Sequence, residues 1–163
     1  GVCLNDIGPV LEPEGLAHIM GYLGLRPDYA DYEAAADGLA ASMAARFAGV
    51  SRAQWRRHAE RLWREGPGGL ELRYDPALRR AVLEQSAGDA LPDLWSLFHG
   101  LDGLPLALIR GENSDLLSAQ TAAEMARRRP DMIYAQVPAR GHVPFLDEPE
   151  SLAAIAAFLG RLA

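Results

Sequence analysis

The hydrophobic positions change their period twice along the chain, and the changes divide it into three blocks. Val2-Cys3-Leu4 is a short strand candidate, followed by Asn5-Asp6-Ile7 and then by Gly8-Pro9, which takes the chain out of regular structure. From about Glu12 to Gly88 the apolar residues recur at helical spacing. Glu14 to Tyr22 is predicted as a short helix closed by Gly24 and Pro27. Leu39, Met43 and Phe47 recur every four residues, with Ala35 and Ala36 on the same side, so a second helix is expected to run to Gly49. Ser51, with Gln54 three residues on, forms a capping box for a third. That helix gathers Trp55, Ala59, Leu62 and Trp63 on one side and an Arg56-Glu60-Arg64 ladder on another, and Gly66-Pro67-Gly68-Gly69 stops it. Leu70 to Tyr74 is compatible with extended chain. Asp75-Pro76 opens a further helix with proline at its first position.

The third block, from about Leu91, reads as α-β-α-β-α. Pro92 to His99 is a short helix with Leu94, Trp95 and Phe98. Leu104 to Arg110 is a strand, Ser118 caps a helix running to about Arg129, and Met132 to Pro138 is the next strand. The last helix begins near Glu150 and is expected to face a core with Leu152, Ile155, Leu159 and Leu162. Strands alternating with helices of this length imply parallel pairing through right-handed crossovers. The fold class is therefore α/β, with three parallel strands, flanking helices and an all-helical insertion. The predicted divisions are 1–10, 11–88 and 89–163.

Composition narrows the function without naming it. Hydrophobic content of 49% with 23% charged residues is ordinary for a globular chain of 163 residues. A net charge of -6 argues against nucleic acid as a partner, because a binder needs a basic face to displace counterions. None of the 16 basic residues is lysine, a compositional bias and not a binding device. Cys3 is the single cysteine, which excludes an internal disulfide and a multi-cysteine metal site; in its apolar run it is expected to be a buried, inert thiol. His18, His58 and His99 show no paired ligand spacing, so neither a metal nor a cofactor is expected. No apolar stretch reaches the roughly 18–20 residues of a membrane span, and no secretory signal opens the chain. A cytoplasmic setting is expected. The first residue is Gly1 and a strand-like run begins at once, so the chain is expected to be a piece of a longer one.

The chemistry sits in two loops. Arg110-Gly111-Glu112-Asn113-Ser114-Asp115 follows one predicted strand, and Gly141-His142-Val143-Pro144 follows the next. In parallel α/β sheets reacting groups collect beyond the carboxyl ends of the strands, so both loops fall at that edge. One strand-helix-strand crossover separates them, which lets them meet if the strands are neighbours. A histidine, with an unperturbed pKa of about 6.5, takes and returns a proton near neutral pH. It needs a carboxylate on its far nitrogen to fix the tautomer. Asp115 is the expected carboxylate and His142 the expected base. Asp6 is the rival acid, because it ends a neighbouring strand; otherwise it is a turn aspartate before Gly8-Pro9. Asp115 also has an ordinary reading, as the acid ahead of the Ser118 cap.

These segments resemble the C-terminal portion of an α/β-hydrolase-fold enzyme. Residues 2–9 resemble the sixth strand and the exit to a lid, about 11–88 a helical cap, and Asp93 to Phe98 the helix that returns to the sheet. Leu106 to Gly111 with Ser114-Asp115 resembles the seventh strand and its acid turn, and Gly141-His142-Val143-Pro144 with Phe145-Leu146-Asp147-Glu148-Pro149 resembles the histidine segment. The resemblance implies a nucleophile, acid, histidine order, which agrees with Asp115 preceding His142. The family's G-x-S-x-G is absent from the chain; Ser86, in Glu84-Gln85-Ser86-Ala87-Gly88, lacks the first glycine and follows a helix. The acid turn also holds one residue more than the common G-x-x-D form. The resemblance thus implies a hydrolase of a small, apolar, ester-like substrate, with its nucleophile and oxyanion hole in a missing N-terminal half of the same fold. An aspartate nucleophile, as in dehalogenases or epoxide hydrolases, or a non-catalytic split chain, would leave the same residues here.

Overall fold

Leu106, Ala107, Leu108, Ile109, Arg110 and Gly111 are buried without interruption, and this strand organises the sheet. A run apolar on both faces suits a central parallel strand covered from both sides. The computed structural model describes residues 1–86 and 93–162. The predicted boundary at 88/89, the Ala87-Gly88 end of the Ser86 pattern and the Pro92 start of the short helix lie outside the described residues. The chain divides into two compact units, Gly1–Leu16 with Pro92–Ala163, and Ala17–Leu91.

In the first unit, β1 (Val2–Asn5), β4 (Leu106–Gly111) and β5 (Ile133–Val137) form a parallel sheet in the order β1-β4-β5. Val2 pairs with Leu106 and Asn5 with Ile109; Ala107 pairs with Ile133 and Gly111 with Val137. Successive side chains on β4 face opposite ways, so its two sides enter two cores. Leu106 and Leu108 join Phe98 of α5 (Leu94–His99) and Ala122 and Met125 of α6 (Ala119–Arg128), with Leu117 and Met132. Ile109 joins Val137 and Ala154 of α7 (Pro149–Leu159) on the other side. Burial of each large aliphatic side chain contributes about 1.5–3 kcal/mol. Ser118 caps α6 as predicted, its hydroxyl accepting from Thr121 N.

The same alternation corrects one expectation, and the packing of the last helix corrects another. Val2 and Leu4 pack against the α5/α6 core, so Cys3 between them faces the other way and is exposed, not buried. Partial burial still pushes its thiol above the ordinary range. On α7 the core is met by Ala154, Phe158 and Ser151, with Ile155 packed beside them as expected, while Leu152 and Leu159, and Leu162 beyond the helix, are exposed. This helix is apolar on nearly every side, so periodicity alone does not select its buried face.

The second unit holds α2 (Tyr32–Met43), α3 (Arg52–Leu62) and α4 (Leu78–Ser86); α1 (Pro13–Tyr22) runs across the division between the units. The Ser51–Gln54 capping box is present at α3. α2 stops at Met43, before the expected Gly49, but Phe47 remains buried with its ring centroid 5.6 Å from that of Trp55. The insertion is not all-helical. Trp63–Gly66 (β2) and Gly69–Leu72 (β3) form an antiparallel hairpin, Trp63 opposite Leu72. Trp63 looks helical because it extends the apolar face of α3. Its backbone is instead extended, its ring lies 5.5 Å from that of Tyr29, and its carbonyl accepts from Tyr32 Oη. Gly69, at φ +105 and with Tyr29 O where a Cβ would stand, permits the tight return.

No helix among the described residues is long and apolar enough to cross a membrane.

Candidate active site

The site forms where β1 and β4 end side by side and the chain leaves each in a turn. Asp6 is the first residue past β1. Its backbone N–H still donates to Ile109 O at 2.7 Å, but its φ of 55 lies in the left-handed region, which turns the chain sharply out of the strand. Asp is one of the few non-glycine residues, with Asn and His, that are enriched in this conformation, and such strain concentrates at functional sites. The residue is fully buried.

Three donors converge on its carboxylate. Gly111 N donates to Oδ1 at 2.9 Å, Ser114 Oγ donates to Oδ2 at 2.6 Å, and His142 Nδ1 lies 2.9 Å from the same Oδ2. A buried acid needs such partners, because desolvation without them costs several kcal/mol. With Nδ1–H engaged by Asp6, the other ring nitrogen, Nε2, carries the lone pair, and His142 retains some exposure.

The acid turn and the histidine turn are fastened to each other. Glu112 N donates to Val137 O at 2.9 Å, Asn113 N to Arg140 O at 2.8 Å, and Ala139 N to Glu112 Oε2 at 2.9 Å. Buried Arg110 donates from Nε to Leu117 O at 2.9 Å and closes the far side of the acid turn. Beyond His142, buried Glu148 accepts from Phe145 N, Arg140 Nε and Ser151 Oγ. Burial by itself pushes the Glu148 carboxyl up. The Phe145 N–H and the Ser151 hydroxyl lead the donors that outweigh it and hold the group below the usual range.

His142 is therefore at the sheet edge where the sequence puts it, but its carboxylate is Asp6, the rival candidate, and not Asp115. The extra residue in the acid turn is the physical reason. Third after Gly111, where G-x-x-D would set a carboxylate, stands Ser114, and its hydroxyl meets the Asp6 carboxylate. Asp115 lies one position beyond, where its carbonyl and the backbone of Leu116 pack against Gly15. Asn5 Nδ2 reaches Pro144 O at 3.4 Å and ties β1 to the histidine loop. Sequence reasoning did not single out Ser114, Arg110 or Glu148; the spacing of Ser114 from Gly111 was the available signal.

No family model matches the chain. It is 36% identical to a 3-hydroxybutyrate-oligomer hydrolase of Cupriavidus necator, an alignment covering 92% of this chain and 53% of the relative. Among solved structures it is similar to an α/β hydrolase from Novosphingobium aromaticivorans, with 41% identity and a TM-score of 0.85 over 98% of this chain and 56% of that one. It also resembles E-2-(acetamidomethylene)succinate hydrolase, at 26% identity and a TM-score of 0.72, over 98% of this chain and 57% of that one. The chain spans about half the length of each of these relatives.

Proposed function

We infer that this chain, which carries the C-terminal portion of the α/β-hydrolase fold, supplies the acid and the base of a serine-hydrolase triad. One observation carries the reading: a fully buried carboxylate, Asp6, held at both oxygens and set 2.9 Å from the Nδ1 of His142. Asp6 fixes the tautomer in which Nε2 is free to accept. His142 takes the proton of an attacking serine hydroxyl at Nε2 as the ester carbonyl becomes tetrahedral, and gives it to the departing alkoxide. Asp6 stabilises the imidazolium formed between those steps. A water then repeats the sequence on the acyl-enzyme, with His142 again as base. The serine, and the N–H groups that stabilise the oxyanion, belong to an N-terminal half of the same fold, and the insertion at 11–88 acts as the cap. The setting is cytoplasmic.

The substrate class is a short, weakly polar ester. An oligomer of a small hydroxy acid fits the relationship to the 3-hydroxybutyrate-oligomer hydrolase and the ester chemistry of the triad.

The test is hydrolysis of linear 3-hydroxybutyrate oligomers and short acyl esters by the longer polypeptide that contains this sequence, beside the 163-residue chain alone. The polypeptide is expected to turn over, His142→Ala to abolish turnover, and the chain alone to stay at background. Undiminished turnover in His142→Ala overturns the reading. Turnover by the chain alone that His142→Ala removes would overturn the placement of the nucleophile elsewhere.

A further inference from the structure

We propose that Ser114 is a positioning residue for His142, acting through Asp6. The inference rests on the Asp6–His142 reading above and extends it by one residue.

A serine hydroxyl has one proton to donate and two lone pairs to accept with. Both lone pairs of Ser114 Oγ are engaged: Leu117 N donates to it at 3.0 Å and Leu116 N at 3.2 Å. Those N–H groups belong to a backbone turn whose far end is held by Arg110 Nε on Leu117 O, and Leu117 is itself fully buried. The hydroxyl proton has one direction left, and Asp6 Oδ2 lies there at 2.6 Å, within hydrogen-bond reach. The turn therefore aims the proton. Asp6 Oδ2 is the same oxygen that faces His142 Nδ1, so Ser114 fixes the atom that in turn fixes the imidazole.

A serine that merely closed its own turn would account for the two accepted bonds. It would not account for the donated one, nor for its arrival at the oxygen that His142 uses. Gly111 N holds only Oδ1, so without Ser114 the sole partner left on Oδ2 is the His142 ring itself, and that oxygen has no anchor independent of the ring it orients. Asp6 is fully buried, so bulk water does not stand at hand to replace the lost donor.

The test reads the imidazole directly. In the folded chain, the Nδ1–H proton resonance and the ring ¹⁵N shifts of His142 report its hydrogen bond and tautomer, and thermal unfolding reports the turn. Ser114→Ala is expected to move the Nδ1–H resonance upfield and to populate the Nε2–H tautomer, while Ser114→Thr keeps both signals. In the hydrolytic polypeptide, Ser114→Ala is expected to lower kcat about tenfold with KM unchanged, and Ser114→Thr to restore most of it. Ring signals that superimpose on those of the parent while the melting temperature falls would overturn the proposal and leave Ser114 a turn residue. Should Ser114→Ala fail to fold, Ser114→Cys, which retains a side-chain atom but donates weakly, carries the same expectation and the same refutation. Asp6→Asn keeps the two failures apart. If it leaves the His142 signals unchanged, the Asp6–His142 pair itself is wrong; if it shifts them and Ser114→Ala does not, only the role of Ser114 falls.

Discussion

Asp6 and His142 are 136 residues apart in the chain and 2.9 Å apart in space, and the contact joins the carboxyl end of β1 to the loop that follows β5. β4 lies between those strands, and its terminal Gly111 supplies the N–H that holds the second oxygen of Asp6. All three strands of the sheet thus contribute to one hydrogen-bonded unit. That is how a parallel sheet places residues distant in sequence at a common edge.

Replacing the two candidate acids separates their roles. Asp6→Asn puts an amide against Nδ1, which can hold the wrong tautomer, and kcat of the hydrolytic polypeptide should fall by about two to four orders of magnitude. Asp115→Asn should leave kcat within about threefold, since the ring of His142 is met by Asp6. Steady-state kinetics on one short ester checks both. Equal losses, or the larger loss at Asp115, would contradict the pairing.

Gly111→Ala should disrupt the union of the two turns. A Cβ there would stand 2.5 Å from Gly141 O and 2.6 Å from Arg140 O, both backbone atoms that no rotamer change can move. Overpacking of this kind costs about 1–3 kcal/mol. The displaced segment carries His142, so the urea midpoint and the His142 ring signals should change together. A variant of parental stability with unaltered ring signals would show that the turns can part without loss.

The sheet and the histidine loop were legible because their signals are local. The uninterrupted apolar run around Leu108, the hydroxyl of Ser118 before α6 and the Gly141-His142-Val143-Pro144 segment each specify their own surroundings. The choice of acid was not legible. Asp6 and Asp115 both follow strands at the correct edge, and the difference lies in a left-handed φ at Asp6 and a one-residue offset that gives its expected place to Ser114. Leu70 to Tyr74 reads as extended and supplies the second strand of the hairpin, but its first strand was hidden for a related reason. Trp63 continues the helical apolar pattern of α3, and it is its pairing with Leu72 and its contacts with Tyr29 and Tyr32, all outside α3, that end the helix there.

Glu148 gives the fold an acid-sensitive fastening. Its carboxyl is held below its ordinary value in the folded chain by Phe145 N–H, the Ser151 hydroxyl and Arg140, against the upward push of burial. A group depressed in the folded state stabilises it above the unfolded pKa, about 4.3, and loses that contribution as pH falls through the folded value. Unfolding free energy should therefore decline as pH drops below about 4.3, and Glu148→Gln should make the decline shallower. Urea titrations between about pH 7 and pH 3 measure the slope. An identical slope in Glu148→Gln would remove Glu148 as its source.

The last helix offers a test of which side of α7 holds the sheet. Phe158 is 8% exposed and lies on the face that carries buried Ser151 and Ala154, whereas Leu152 is 54% exposed. Truncating a buried phenylalanine removes its transfer energy and leaves a cavity, so Phe158→Ala should cost about 3–5 kcal/mol. Leu152→Ala removes little buried surface, and alanine is the better helix former, so stability of the 163-residue chain should change by no more than about 0.5 kcal/mol. Chemical denaturation of the two variants under one condition decides the matter. If Leu152→Ala proved the more damaging, the helix would be rotated from the orientation described, with the leucine stripe inward.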